Sequence, residues 1–355
     1  MGNVFGMSLN ILSPWLGLGI GAVVGAAAFL SNFCFLGGVS DILFARDWRR
    51  MRAWMLAAGV ALLGTQALDA AGVITIDRVL RPNVLWLPAL LGGTCFGFGM
   101  ALAGGCVNRA LVRIGAGSLK SLVTVIFIGL VSALTFFGVL QPLSTALARA
   151  GSFELLVAPE GLHRVLVALP AFDANIARWV ITILIGGGLV AVSFADNWFR
   201  SSKDQWIAAV VIGLAIPAAL VASGGVLALN FAGPLGGLVL ALVLKGPLFT
   251  FGLLSIVGVP LGSFAAAALT HNLALESFTD RADLPRHLVG AALMGFGGTI
   301  ALGCTFGQGL SGLSTLSLTA MLTVAAIIFG CLWGIRYFEA GGVWAGLKMA
   351  FRRGV

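Results

Sequence analysis

Three of the five cysteines stand where an otherwise apolar chain is interrupted by glycine. Cys34 lies in NFCFLGG, Cys106 closes GFGMALAGGC, and Cys304 opens CTFGQGLSGLS. A thiol can ligate metal, exchange disulfides, or donate a weak hydrogen bond. Metal ligation lacks partners, because His163, His271 and His287 fall in connections away from all three thiols. Disulfide cycling would want a Cys-x-x-Cys pair, and the chain has none. Cys95 and Cys331 lie within apolar helical runs and read as small buried hydrophobes. For the other three, spacing alone leaves two readings open. The glycines let helices pack closely and the cysteines are incidental, or the thiols line a path.

The elements that must position them are set by composition. Of 355 residues, 59% are hydrophobic and 10% charged, well below the roughly 25% charge of soluble domains. Uncharged runs at 1–40, 121–148, 205–244, 246–275 and 288–335 each exceed the roughly 20 residues that cross a bilayer as helix. The fold class expected is therefore an all-α integral membrane protein. The runs predict nine crossings, at 14–45, 53–70, 86–106, 121–140, 176–197, 206–244, 248–270, 288–304 and 317–338. The first and sixth are too long for one straight span. The N-terminus lacks the positive region of a cleaved signal peptide and reads as mature chain. The net charge of +8 is spread over short connections, which disfavours nucleic acid as a partner and points to orientation. With the N-terminus outside, 15 basic residues fall inside and 6, namely Arg78, Arg81, Arg149, Arg164, Arg178 and Lys245, fall outside. The positive-inside rule then gives N-out, C-in.

The chain also repeats itself. GFG at Gly97–Gly99 recurs at Gly295–Gly297, Gly105-Cys106 recurs as Gly303-Cys304, and Asn32-Phe33 recurs as Asn230-Phe231, all displaced by 198. This divides the chain into a first membrane repeat at 1–140, a connecting segment with one linking helix at 141–204, a second repeat at 205–340 and a basic cytoplasmic tail at 341–355. Five crossings separate equivalent points, so the repeats are expected to have inverted topology, which places a substrate site at their midplane interface. Four glycine-rich breaks follow, around 32–38, 104–117, 230–237 and 303–312. Such backbone must be buried in protein or line a cavity. Helix N-termini at the breaks favour an anion.

GFGMALAGGC, ALGCTFGQGLSGLSTLSL and NFCFLGGVSD with its following basic segment resemble the YeeE/YedE family of bacterial inner-membrane sulfur-compound transporters. The resemblance runs from about residue 15 to 340 and implies an hourglass-like protein whose short helices meet near its centre. It implies uptake of thiosulfate, no cofactor, and a path carrying functional cysteines at Cys34, Cys106 and Cys304. It also implies a cytoplasmic sulfur-carrier partner of the SirA/TusA type and a location in the bacterial inner membrane. Transport of another sulfur or selenium species, and a membrane thiol-redox enzyme, are the alternatives. Thiosulfate is a dianion with a soft terminal sulfur, so protonated thiols suit it as weak serial donors. Gly105 and Gly303 would let backbone N–H groups approach its oxygens. Asn32, Asn230, Gln308 and Ser311 would either add donors or cap the breaks, and Arg109 would set orientation or attract the anion. The cluster Arg46, Arg49, Arg50 and Arg52 reads as an inner surface facing anionic lipid of the bilayer or an acidic partner. No Gly-x4-Gly-Lys-Ser/Thr motif occurs, which disfavours direct ATP drive.

Overall fold

The computed structural model describes residues 2–154, 160–162, 174–225, 228–278, 280 and 283–352. Of the basic residues used for orientation, Arg164, Arg281 and Arg353 lie outside the described residues, as does His163. Among the described residues the regular elements are helices apart from one two-stranded ribbon. Among the described residues, eight helical segments are long and apolar enough to cross a membrane.

The first long run is two helices, α1 (Gly2–Leu30) and α2 (Phe35–Ala45), followed by α3 (Arg49–Ala70). Strand β1 (Asn83–Leu85) leads into α4 (Trp86–Leu102), then α5 (Val107–Gly115) and α6 (Leu119–Phe137). A short helix α7 (Gln141–Ala150) precedes β2 (Ser152–Glu154), which pairs antiparallel with β1. The linking helix is α8 (Ala174–Thr182) continued through a π-helical turn, Ile183–Gly187, into α9 (Gly188–Phe194). After α10 (Asn197–Ser201) the second series runs α11 (Lys203–Ala222), α12 (Ala232–Leu244), α13 (Phe251–Leu269) and α14 (Asp283–Ile300). It ends with a π-helical turn at Gly307–Gly312 and α15 (Leu318–Ala340).

The expected breaks are narrower than the glycine-rich stretches suggested, because short helices start directly after them. Residues 31–34 break the first run before α2, and α5 lies wholly inside the stretch read as irregular. The eighth expected crossing, 288–304, coincides with α14, whose polar first turn, with Asp283, Arg286 and His287, keeps it out of the eight apolar spans. His287 therefore sits in a helix and not in a connection. The tail at 341–355 also holds a helix, α16 (Val343–Arg352), which folds back so that Trp333 Nε1 donates to the Val343 carbonyl at 3.0 Å.

Left-handed backbone recurs at nearly the same displacement as the sequence motifs. Gly104 and Leu302 are 198 apart; Arg46 and Lys245, Gly72 and His271, and Gly117 and Leu316 are each 199 apart, and all eight have positive φ. A leucine at positive φ is uncommon, so the turn geometry is imposed by the fold and not by the residue.

Helix packing is reciprocal between the two series. α1 runs parallel to α13, with Gly17, Gly21 and Gly25 against Phe251, Ser255 and Val259. α3 runs parallel to α11, with Ala57 beside Gly213 and Gly64 beside Pro217. α4 lies parallel to α15, where a Cβ on Gly97 would run into the Ile327 carbonyl oxygen and the Cys331 nitrogen. α4 and α14 are antiparallel, Gly92 meeting Gly297 and Ile300 while Gly99 meets Gly290. Small residues let these backbones approach, and dispersion at that distance substitutes for the hydrophobic effect that lipid cannot supply.

Candidate functional site

Each cysteine of the three breaks stands at the start of a short helix. Cys34 is the N-cap of α2 in extended backbone, and its Sγ accepts from the Gly37 N–H at 3.3 Å. Cys106 is the extended N-cap of α5. Cys304 opens the helical turn after α14, its carbonyl accepting from the Gln308 N–H at 2.8 Å. Such first turns carry backbone N–H groups without intrahelical partners and a partial positive charge. All three thiols are buried, with Cys106 1% and Cys304 0% exposed. Cys106 lies near Cys34 and Cys304, and Cys331 lies near Cys34 and Cys106. The last proximity was not legible in sequence, since it depends on α15 packing along α4.

Two cavities adjoin these breaks. The first, of about 440 Å³, is lined by Asn32, Arg109, Arg113, Ser118 and Glu276 among others. The second, of about 240 Å³, is lined by Arg81, Glu160, Asn230, Gln308, Ser311 and Thr319 among others. They face opposite ends of the bundle. Ser118 of the first lies beside Lys120, which bonds Asp283 at the start of α14, whereas Thr319 of the second lies at the start of α15. α14 and α15 run in opposite directions, because α4 is antiparallel to one and parallel to the other.

A cluster of aromatic rings links residues adjoining the two cavities. Phe306 contacts Phe33 at 6.0 Å and Phe231 at 5.2 Å between centroids, and Trp54 stacks on Phe33 at 4.5 Å. Phe33 adjoins Asn32 of the first cavity and Phe231 adjoins Asn230 of the second, so the rings join the equivalent points of the two series. The equivalence is imperfect at the caps. The N-cap of α12 is Phe231, where α2 has Cys34, so the second series has no thiol there.

The polar candidates divide by what they bond. Asn32 has φ 52°, and its Oδ1 accepts from Arg109 Nη2 at 3.2 Å. Asn230 Oδ1 accepts from the Ala232 N–H at 3.2 Å. Gln308 donates to the Ala301 carbonyl at 2.7 Å, and Ser311 donates to the Leu229 carbonyl at 2.9 Å. These three hold the ends of broken helices while they line the second cavity. Gly105 and Gly303 donate their N–H groups to the Met100 and Gly298 carbonyls at 3.0 and 2.8 Å. Those N–H groups therefore close α4 and α14, and the donors left at each break are in the turn after the cysteine.

The basic cluster is mostly engaged within the protein. Arg49 pairs with Asp47 at 2.7 Å, Arg50 with Asp41 at 3.3 Å and Arg52 with Asp196 at 3.7 Å. The Arg49 hydrogen bond holds the Asp47 carboxyl below its ordinary value. Arg109 and Arg113, by contrast, make no ion pair among the described residues.

Glu160 escaped the sequence reading. It comes from the connecting segment, carries no motif beyond the sequence Pro-Glu-Gly, and is 3% exposed.

The family described as sulphur transport matches residues 30–333. The chain is 27% identical to the thiosulfate transporter TsuA of Escherichia coli strain K12 over 349 residues, covering 95% of this chain and 94% of that protein. It is also 27% identical to the thiosulfate transporter TsuA of Spirochaeta thermophila over 330 residues, covering 89% of this chain and 96% of that one. The family match runs from the last residue of α1 into α15, across every break that carries a candidate cysteine. On that match, the chain belongs to the sulphur transport family.

Proposed function

We propose that this protein takes up thiosulfate across the bacterial inner membrane along a path through Cys34, Cys106 and Cys304. One observation carries the reading: three buried thiols each stand at the start of a short helix, and the breaks of Cys34 and Cys106 contribute Asn32 and Arg109 to one cavity while the break of Cys304 contributes Leu302, Gly307 and Gln308 to the other. Helix starts attract the dianion. Neutral thiols offer its soft sulfur weak hydrogen bonds, and weak stations in series let an ion leave as readily as it arrives. The relatives' names, both thiosulfate transporters, support this substrate. The protein moves its substrate without chemical change and is not an enzyme.

The cavity of Arg109 and Arg113 is the cytoplasmic mouth and that of Arg81 and Glu160 the periplasmic one. The basic asymmetry supports this orientation, since Arg49, Arg50, Arg52, Lys120 and Arg286 belong to the set assigned inside. Residues 1–140 and 205–340 form two repeats of inverted topology joined by 141–204. A sulfur carrier of the SirA/TusA type collects the anion beside Arg109. Uptake of radiolabelled thiosulfate by a strain without importers of its own tests the reading. Label accumulates when this protein is expressed, and no accumulation above the empty strain contradicts it.

A further inference from the structure

The second cavity contains an anion of the protein's own. Glu160 Oε1 accepts from Ser317 Oγ at 2.9 Å, and Oε2 accepts from the Thr319 N–H at 3.3 Å and from Thr319 Oγ1. Ser317 is the N-cap of α15 and Thr319 its second residue, so the carboxylate sits on the positive end of a 23-residue helix. The Glu160 N–H donates to the Arg81 carbonyl at 2.8 Å, and the Arg81 guanidinium acts on the carboxylate. Among the described residues Arg81 is the charged side chain that shares the cavity with Glu160. The other polar groups lining the cavity, Asn230, Gln308, Ser311, Thr315, Ser317 and Thr319, are uncharged.

We propose that Glu160 is a built-in competitor for the transported anion: its carboxylate holds the donors at the start of α15, and an anion arriving beside Arg81 must take them from it. This rests on the anion path proposed above. Two negative groups cannot share those donors, because the carboxylate and the dianion repel one another in a cavity whose walls screen poorly. Glu160 thus weakens anion affinity at this mouth and keeps the donors satisfied between arrivals, when a buried hydroxyl and N–H would otherwise be left without partners.

Glu160→Gln removes the charge and keeps the shape. Its amide oxygen can accept from Thr319, and its NH₂ can donate to Ser317 Oγ. Glu160→Asp keeps the charge and shortens the side chain. Full-length protein, purified and also reconstituted in liposomes, is titrated with thiosulfate, with Kd read by calorimetry and KM by uptake of label. Glu160→Gln is expected to lower Kd and KM by roughly three- to tenfold at low ionic strength, an effect that salt reduces, while Glu160→Asp stays near wild type. Unchanged Kd in Glu160→Gln, or the same change in Asp and Gln, overturns the proposal. If wild type binds thiosulfate and Glu160→Gln tightens it without any uptake, the transport reading fails and Glu160 keeps its role. Normal uptake with an unmoved Kd has the opposite meaning.

Discussion

Arg109 reaches from α5 to donate through Nη2 to Asn32 Oδ1 at 3.2 Å, tying the break that holds Cys106 to the break that holds Cys34. The guanidinium has no carboxylate partner among the described residues and lines the first cavity. A charged donor so placed can hold the two breaks in register and attract an anion at once. Arg109→Ala is expected to reduce thiosulfate uptake about ten- to hundredfold, as loss of a hydrogen bond to a charged group implies. Arg109→Lys should retain part of the rate, since the charge survives and the fork geometry does not. Equal rates in wild type and Arg109→Ala would leave the arginine as an orientation signal alone.

Orientation is open to a direct test. Ser152 lies in β2 and Ser202 just before α11. A membrane-impermeant thiol reagent should label Ser152→Cys on intact cells and Ser202→Cys only after permeabilisation. The reverse pattern would move Arg109 to the periplasmic face.

Packing and backbone effects separate at two glycines of α4 and its end. A side chain on Gly97 meets the backbone of Ile327 and Cys331, which no rotamer avoids. Gly97→Leu should abolish folded protein, judged by size-exclusion chromatography of the solubilised membrane fraction. Gly104 has φ +68° but open space around it, and Leu302 holds the matching turn in the other series. Gly104→Leu should therefore fold, at a cost of about 1–2 kcal/mol.

Sequence made the membrane architecture legible because lipid imposes a long uncharged run on each span, and the 198-residue displacement of the motifs recurs to within one residue in the left-handed turns. It located the three cysteines at helix starts for a similar reason, since glycine marks where helical backbone ends. It could not assign hydrogen bonds. Whether Gln308 and Ser311 face an ion or hold the Ala301 and Leu229 carbonyls depends on how helices distant in sequence approach. The ion pairs of the arginine cluster were hidden for a related reason, as Asp196, the partner of Arg52, follows α9 and is distant in sequence. Glu160 finds Ser317 across 157 positions of chain, and no local pattern announces that contact.

Glu160 also carries a pH signature in stability. Burial pushes its carboxyl above the ordinary value, against the pull of the Thr319 and Ser317 bonds and of Arg81. A carboxyl raised on folding contributes stability that is present below its unfolded pKa and lost as pH rises through the folded one. Relative to wild type, Glu160→Gln should therefore gain thermal stability as pH rises above the ordinary carboxylate range. A Gln variant that instead loses ground as pH rises would mean that the ionised carboxylate stabilises the fold.

Thiosulfate uptake by the five single cysteine-to-alanine variants tests the path most directly, each normalised to the amount of folded protein in the membrane. Cys34→Ala, Cys106→Ala and Cys304→Ala should each lower the rate about ten- to hundredfold with folded protein near wild type. Cys95→Ala should leave the rate almost unchanged, and so should Cys331→Ala, although Cys331 lies near Cys34 and Cys106. Similar losses in all five, following the loss of folded protein, would show that the thiols are packing residues and would contradict a path through Cys34, Cys106 and Cys304.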